Sequence, residues 1–401
     1  MKAAHLRGLA LVLLMAITPA PAAAQAIAAV ERKLLPYLLG PLQTVPASFW
    51  EGLRFLRDEE DRQRSLKADI SFGLTGDEAG DQSLFRLNTG IGLSRGVFPS
   101  EVSVVTRVFL QLRDGQLQED VTSLQISYDY HGSHHVEYFA FAERFSDSFL
   151  SIQQRYEVGL GARVGVHLGR SREWRNAEAR FAAVQAALPD VQAALAAVPN
   201  AGASGAPDVL TSDWAGFRSA VSDLRHVLEY RRTRLFVGLS ASLFSEIESA
   251  SLTVVTLPIA PTGGSADAPA RTRVSLGPQQ RYRMSFRPTF IVRPAGGVQV
   301  TVMPYFKLPL DGARRVTLPD GSRPLDYRRD ILSELNWSIR REQTGLENVA
   351  LVLTFNHFFD RVPPALPASL IADTLAAGRV FDRTVAEGTH RVTALSLRLT
   401  W

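Results

Sequence analysis

From His390 to Trp401 apolar and polar side chains alternate strictly. Leu395, Leu397, Leu399 and Trp401 fall on one face of a strand; Ala394, Ser396, Arg398 and Thr400 fall on the other. A side-chain period of two is the signature of β structure. Read as a last strand, this one carries its apolar face right to an aromatic end. An exposed apolar edge invites aggregation in water. A barrel closed on itself in lipid removes the edge and needs an apolar outer face. The same alternation recurs along the chain. Leu66, Ala68, Ile70, Phe72 and Leu74 share a face, and so do Phe85, Leu87, Thr89, Ile91 and Leu93. Further runs lie at Val102–Leu112, Leu124–Tyr130 and Val136–Ala142. The clearest is Tyr156–Leu168, with Arg155, Glu157, Gly159, Gly161, Arg163, Gly165 and His167 on its other face. After an interruption the pattern resumes at Leu235–Leu243, Leu252–Ile259, Arg271–Leu276, Arg281–Val292, Val298–Leu308, Tyr327–Arg340 and Val349–Phe358. The fold class is therefore all-β, a closed antiparallel transmembrane β-barrel with an even number of strands.

The strand number is 12 or 14, and parity favours 14. Counting forward, short links at Gly96–Ser100 and His131–His135 put the interruption on the same side as both barrel ends. Counting backward from Trp401 puts it on the opposite side. The conflict disappears at 14 strands if Arg271–Leu276 is a strand of its own, turning at Gly277–Gln280. Ile247–Ala250 is then an unusually short outer loop.

Residues 1–24 read as a secretory signal peptide: Lys2 and Arg7, an apolar run from Leu9 to Ile17, and Ala22-Ala23-Ala24 before Gln25. The apolar run is too short to span a bilayer. Residues 25–64 form a helical or irregular lead-in, broken by Pro36, Pro41 and Pro46 and amphipathic around Phe49, Trp50, Leu53, Phe55 and Leu56. It could plug the lumen, lie on the membrane surface or be a mobile leader. Residues 65–401 are the barrel. The interruption, 171–232, carries Phe181, Val184, Leu188, Val191, Leu195 and Val198 at helical spacing, then Trp214, Phe217, Val221, Leu224 and Leu228. It reads as an inserted α-helical hairpin, kinked or split at Pro189, that packs on itself or docks a protein partner.

The final strand resembles the terminal strand of Gram-negative outer-membrane barrels. That resemblance implies that Leu395, Leu397, Leu399 and Trp401 form a signal for the barrel assembly machinery. Asn356–Pro364 (Asn-His-Phe-Phe-Asp-Arg-Val-Pro-Pro), the start Thr389-His390-Arg391, and Leu66–Leu74 and Tyr156–Gly169 resemble the salt-induced outer-membrane protein family. The helical hairpin and the long loop Ala365–Gly388 depart from that family. The resemblance implies an exported barrel and supplies no catalytic residue. Location in the cell outer membrane, with outer-membrane lipid as a partner, follows as the expectation.

If apolar residues face lipid, the alternate set lines the lumen. It is arginine-rich: Arg107, Arg155, Arg163, Arg281, Arg283, Arg287, Arg340 and Arg398, with Asp129, Glu143, Glu157 and Glu334 among the acids. Unpaired guanidinium groups would make a pore for small polar or anionic solutes. Paired ones would close the lumen and leave a structural or envelope-stress barrel that binds partners through its hairpin or loops. A third reading is an outer-membrane lipid-modifying enzyme. Neither His131-Gly132-Ser133 nor Asn356-His357 matches the His-x-Ser-Asn type strand motif of outer-membrane lipid-modifying enzymes, and His390 stands isolated in sequence, so no catalytic residue is assigned and the chain is read as no enzyme. His131, His134 and His135 occupy a tight link whose neighbouring positions point to opposite faces, which is poor for zinc. No metal or other cofactor is expected. Cysteine is absent, removing thiolate chemistry. The formal charge of +4 over 401 residues is too small to suggest a nucleic-acid partner.

Overall fold

The computed structural model describes residues 26–400 apart from 65, 80–81, 98–99, 114–115, 133–134, 149, 171, 197–213, 226–227, 229–232, 259–269, 295–296, 311–326, 344–345, 361–365 and 382–388. The expected signal peptide and Trp401 lie outside the described residues.

Twelve long strands form one antiparallel barrel. They are β1 (Leu66–Ala79), β2 (Gln82–Val97), β3 (Ser100–Arg113), β4 (Gln116–His131), β5 (Val136–Asp147), β6 (Ile152–Arg170), β7 (Thr233–Pro258), β8 (Ala270–Val292), β9 (Val298–Pro309), β10 (Arg328–Gln343), β11 (Leu346–Asp360) and, after a three-residue β12 (Arg379–Phe381), β13 (Thr389–Thr400). Each long strand pairs with its sequence neighbours, β11 passing directly to β13. The barrel closes where β13 meets β1, with Ile70 opposite Leu399 and Phe72 opposite Leu397.

The alternation fixes which face looks outward. Ile70, Phe72, Ile91, Leu93, Val158, Leu160, Val164, Val166, Leu239, Leu243, Leu335, Trp337, Leu353, Phe355, Leu395 and Leu397 are all exposed large apolar residues. In water this would be a defect. On a closed barrel with a polar interior it is a lipid-facing band. No described helix is long and apolar enough to cross a membrane, and the strands do the crossing. The chain is a transmembrane β-barrel of the outer-membrane type, and the outer membrane is where such a surface belongs.

The strand number is 12, not 14. Leu252–Pro258 and Arg271–Leu276 belong to the far ends of β7 and β8, which run for 26 and 23 residues, and Ile259 lies outside the described residues. Ile247–Ala250 is no loop: a bulge between Glu248 and Ala250 lets the pairing continue through it. Gly277–Gln280 is likewise inside β8. A tilted membrane strand needs only about 9–11 residues, so this hairpin stands well beyond the bilayer. Two supposed strands vanish together, which leaves the parity of the count unchanged. The interruption therefore does sit on the rim where β1 begins and β13 ends. The opposite rim carries the long links 259–269, 310–327 and 361–388, and long links mark the outer side.

The inserted segment folds as a helical hairpin, but not on itself alone. Helices α1 (Ala26–Leu34) and α2 (Ala47–Arg64) precede the barrel; α3 (Arg172–Ala196) and α4 (residues 214–225) follow β6. One buried cluster joins them: Ile27, Val30 and Leu34 from α1, Phe49, Leu53 and Leu56 from α2, Trp174, Phe181, Val184, Leu188 and Val191 from α3, and Trp214, Phe217, Val221 and Leu224 from α4. Residues 26–64 are thus neither a lumen plug nor a loose leader. Both segments are amphipathic, and each supplies the apolar face that the other must bury. Gly52 lets α2 and α3 touch, since a Cβ there would lie 2.6 Å from Val184 Cγ2 and 3.0 Å from the Arg180 carbonyl oxygen. Arg180 sits over the Phe55 ring at 4.6 Å. Helix α3 continues through Pro189 without a break; packing of the residues around it outweighs the lost backbone hydrogen bond. Arg170, the last residue of β6, pairs with Glu178 of α3 at 3.0 Å and ties the helical unit to the inner rim.

Candidate functional site

The lumen holds the candidate site, because its side chains are the polar half of every strand. Glu246 and Glu248 of β7 share the inward face with Phe244 and Ser242. Their opposite numbers on β6 are Glu157 and Arg155. Across the barrel, β10 and β11 bring Arg328 opposite Asp360, and β9 brings Lys307 opposite Arg328.

These groups meet in the outer half of the lumen. Arg283 Nε donates to Glu246 Oε1 at 3.0 Å, and Arg328 Nη1 lies 2.8 Å from the same oxygen. Arg155 Nε donates to Glu248 Oε2 at 2.6 Å. Arg328 also donates to Asp360 Oδ2 at 2.7 Å. Lys307 Nζ donates to Glu157 Oε1 at 2.6 Å and lies 3.4 Å from Asp330. Four cations thus meet five carboxylates. Arg283 is wholly buried, and Glu246, Glu157, Arg328, Lys307 and Arg155 are each at most 6% exposed. Charges this deep in a protein persist only when paired and hydrogen-bonded. Beneath them Phe139, Phe141 and Phe244 form an apolar cluster on the inward face. Gly159 and Gly161 make room for it, because a Cβ on Gly161 would lie 2.6 Å from Phe139 Cζ. On the β5–β10 side the lumen is filled by side chains.

Above the cluster the mouth is partly roofed. Helix α5 (Ala368–Ala376) and Leu366 pack on Leu252, Val254, Val274 and Leu276 of the β7–β8 extension. Ala250, two residues before Leu252, pairs with Ile152, which packs on Phe145 and Leu150 inside the barrel. The covered face is therefore the inward one. Strand β12 extends the roof by pairing with Leu257 through Val380.

The opposite wall carries two exposed arginines. Arg86 and Arg107 lie on the inward face of β2 and β3, Arg107 opposite Gly90 and Arg86 opposite Gln111. Both are exposed. An inward side chain that is exposed faces space wide enough for water. Arg86 Nε donates to Gln111 Oε1 at 2.8 Å, and neither guanidinium has a carboxylate within ion-pair distance among the described residues.

Four of the arginines expected on the inward face, Arg155, Arg163, Arg283 and Arg398, pair with carboxylates. Arg155 and Arg283 belong to the buried network. Arg163 pairs with Glu137 at 2.9 Å. Arg398 and Glu334 make a two-pronged pair at 2.9 and 3.0 Å. Arg287 stacks on Tyr305 at 3.9 Å, and Arg281 donates to Gln279 at 2.8 Å. The Arg340 side chain lies outside the described ones; a bulge between Ser338 and Arg340 shifts its pairing to Val349. Glu246 and Glu248 were hidden in the sequence because the bulge beside them resembles a link. Their shared parity with Ser240, Ser242 and Phe244 was the available signal.

His390 is not isolated. Its Nδ1 lies 2.9 Å from Asp147 Oδ2, both residues being buried, while Asp147 Oδ1 accepts from the Leu150 backbone N–H at 2.9 Å. The pair ties β13 to the end of β5 across the lumen. His135 Nδ1 is 3.1 Å from the Gly165 carbonyl oxygen, and His134 lies outside the described residues. No group of metal-binding side chains occurs among the described residues.

No protein-family model matches the sequence, and no curated protein matches it. Solved barrels resemble it loosely. The NanC porin overlaps 84% of this chain and 98% of its own at 6% identity and a TM-score of 0.29. The translocator domain of the autotransporter NalP from Neisseria meningitidis overlaps 88% and 94% at 7% identity, TM-score 0.27. OccK10 of Pseudomonas aeruginosa overlaps 84% and 98% at 7% identity, TM-score 0.25. The architecture is read from the pairing of the strands and their outer face, not from these overlaps.

Proposed function

We propose that the protein is a narrow outer-membrane channel for small polar or anionic solutes, with its path along the β1–β3 wall. The observation that carries this reading is the exposure of Arg86 and Arg107 on an inward face. Two solvated guanidinium groups on one side of a narrow path attract anions and repel cations, and charge matters to selectivity only where water reaches it. The buried network on the other side sets the width and contributes little net field. No catalytic role is part of the proposal. The likeness to the salt-induced outer-membrane proteins adds an exported barrel and no activity. The exposed ridge Leu395–Leu397 on β13 supports recognition by the assembly machinery. A protein partner at the helical hairpin would bind its polar outer surface, because the apolar faces are covered by α1 and α2.

A second reading is favoured by the buried network and the roof: a closed barrel whose lumen is structural. Planar-bilayer recording separates the two. The channel reading expects stepwise anion-preferring current that Arg107→Glu turns toward cations. If neither protein conducts, the channel is refuted and the closed barrel stands.

A further inference from the structure

The outward face of β10, β11 and β13 carries a basic cluster just beyond the apolar band. On β11 the outward residues run Leu351, Leu353, Phe355, His357, Phe359; on β13 they run Leu397, Leu395, Thr393, Arg391. His357 is directly opposite Arg391. Arg329 is opposite Phe359, two residues from His357 on the same face, so Arg391 is a direct neighbour of His357 and Arg329 a diagonal one. Both guanidinium charges act on the His357 ring. Arg329 is the second residue of β10, and Arg391 the third of β13. The cluster therefore lies at the outer ends of the strands. Aromatic rings mark the same level: Arg329 sits over Phe359 at 5.4 Å, and Tyr327 lies 6.3 Å from Phe359 and 6.5 Å from Phe306. Aromatic girdles sit at the headgroup boundary.

Among the described residues no carboxylate lies within ion-pair distance of these three groups, and Asp330 acts on His357 only at longer range. Asp330, next to Arg329, has the opposite parity and is held in the lumen near Lys307. Arg329 Nε and His357 Nε2 are buried and have no hydrogen-bond partner among the described residues. A polar group left unpaired against lipid is costly, yet three cationic or donor groups converge here on the membrane-facing side. A phosphate would satisfy all of them: guanidinium groups bind it through paired N–H donors, and basic sites at membrane boundaries hold lipid headgroups.

We propose that Arg329, His357 and Arg391 form a binding site for a phosphate-bearing lipid headgroup of the outer leaflet. The acyl chains then run down the groove beside Phe355, Leu353 and Leu395, which are exposed on the same face.

The test uses the purified full-length barrel in detergent, with bis-phosphorylated lipid A as the probe and native mass spectrometry as the readout. Lipid A should remain bound, and its dephosphorylated form should not. Arg329→Gln and Arg391→Gln should each weaken binding roughly tenfold, the loss of one charge-assisted contact. Arg144→Gln, an outward arginine opposite Tyr156 on the far side, should leave binding unchanged. Heat-dependent gel migration verifies that each variant is folded. The proposal is overturned if the double variant Arg329→Gln/Arg391→Gln binds as the parent does, or if the dephosphorylated lipid binds equally. Full competition by millimolar inorganic phosphate would overturn the lipid assignment and leave a free-anion site.

Discussion

Glu246 is the carboxylate on which the buried network turns, and replacing it with glutamine is the sharpest test of that network. The substitution keeps the volume and removes one charge. Two contacts lose their ionic character, to Arg283 at 3.0 Å and Arg328 at 2.8 Å, and Arg155 at 4.0 Å loses a more distant attraction. At an effective dielectric of ~20 each short contact is worth roughly 5 kcal/mol before desolvation. Most of that offsets the burial of the charges, but deleting one partner leaves the others buried and uncompensated, at about 3–5 kcal/mol. Glu334→Gln is the control. Its pair with Arg398 has equally short bonds, but the two side chains are 23% and 25% exposed, so water screens them and the cost is about 1 kcal/mol or less. Urea titration of the barrel refolded in phospholipid vesicles measures both. The double variant Glu246→Met/Arg283→Met should recover most of the loss, because Arg328 keeps Glu248 at 3.0 Å and Asp360 at 2.7 Å. If Glu246→Gln costs no more than Glu334→Gln, the outer half of the lumen is hydrated, and the asymmetric, half-filled barrel argued above is wrong.

Other perturbations address other parts. Leu397→Arg puts a charge on the lipid face and should destabilise the barrel by about 2–4 kcal/mol in the same titration; a neutral result would place Leu397 away from the bilayer core. Gly52→Leu should unseat α2 from α3 while sparing the barrel, so that limited proteolysis removes residues 26–64 and heat-dependent migration is kept. Arg107→Glu should alter ion preference without changing stability, because Arg107 has no partner to lose among the described residues.

The barrel itself was readable in the sequence because a period of two leaves no freedom. Once Phe72, Leu160 and Leu397 face lipid, Ser71, Gly161 and Ser396 must face inward. The same rule puts Arg155, Arg163, Arg283 and Arg398 on the inward-facing set. It could not say whether each had a partner. Arg155 finds Glu248 at a sequence distance of 93 residues because β6 and β7 pair across the insertion, and Lys307 finds Glu157 at 150, a meeting that only the curvature of the closed sheet decides. The strand count failed for a local reason. A bulge at Glu248–Ala250 interrupts the alternation as a loop would, and nothing local distinguishes a strand that bends from one that ends. His390 looked isolated because its partner Asp147 lies 243 residues away.

The helical residues divide in the same way. Spacing alone showed that Phe181–Leu195 and Trp214–Leu228 each had an apolar stripe, and that Phe49–Leu56 had another. A stripe states that a face must be buried and is silent about what buries it. Closure of the barrel brings the start of β1 and the end of β6 to one rim, and there the three stripes meet. What the sequence determined by itself was therefore every property set by local periodicity: strands, faces, a lipid-facing exterior and amphipathic helices. What only the tertiary structure decided was which charges neutralise each other, where the lumen is filled, and which helix covers which, because those depend on distances between residues far apart in the chain.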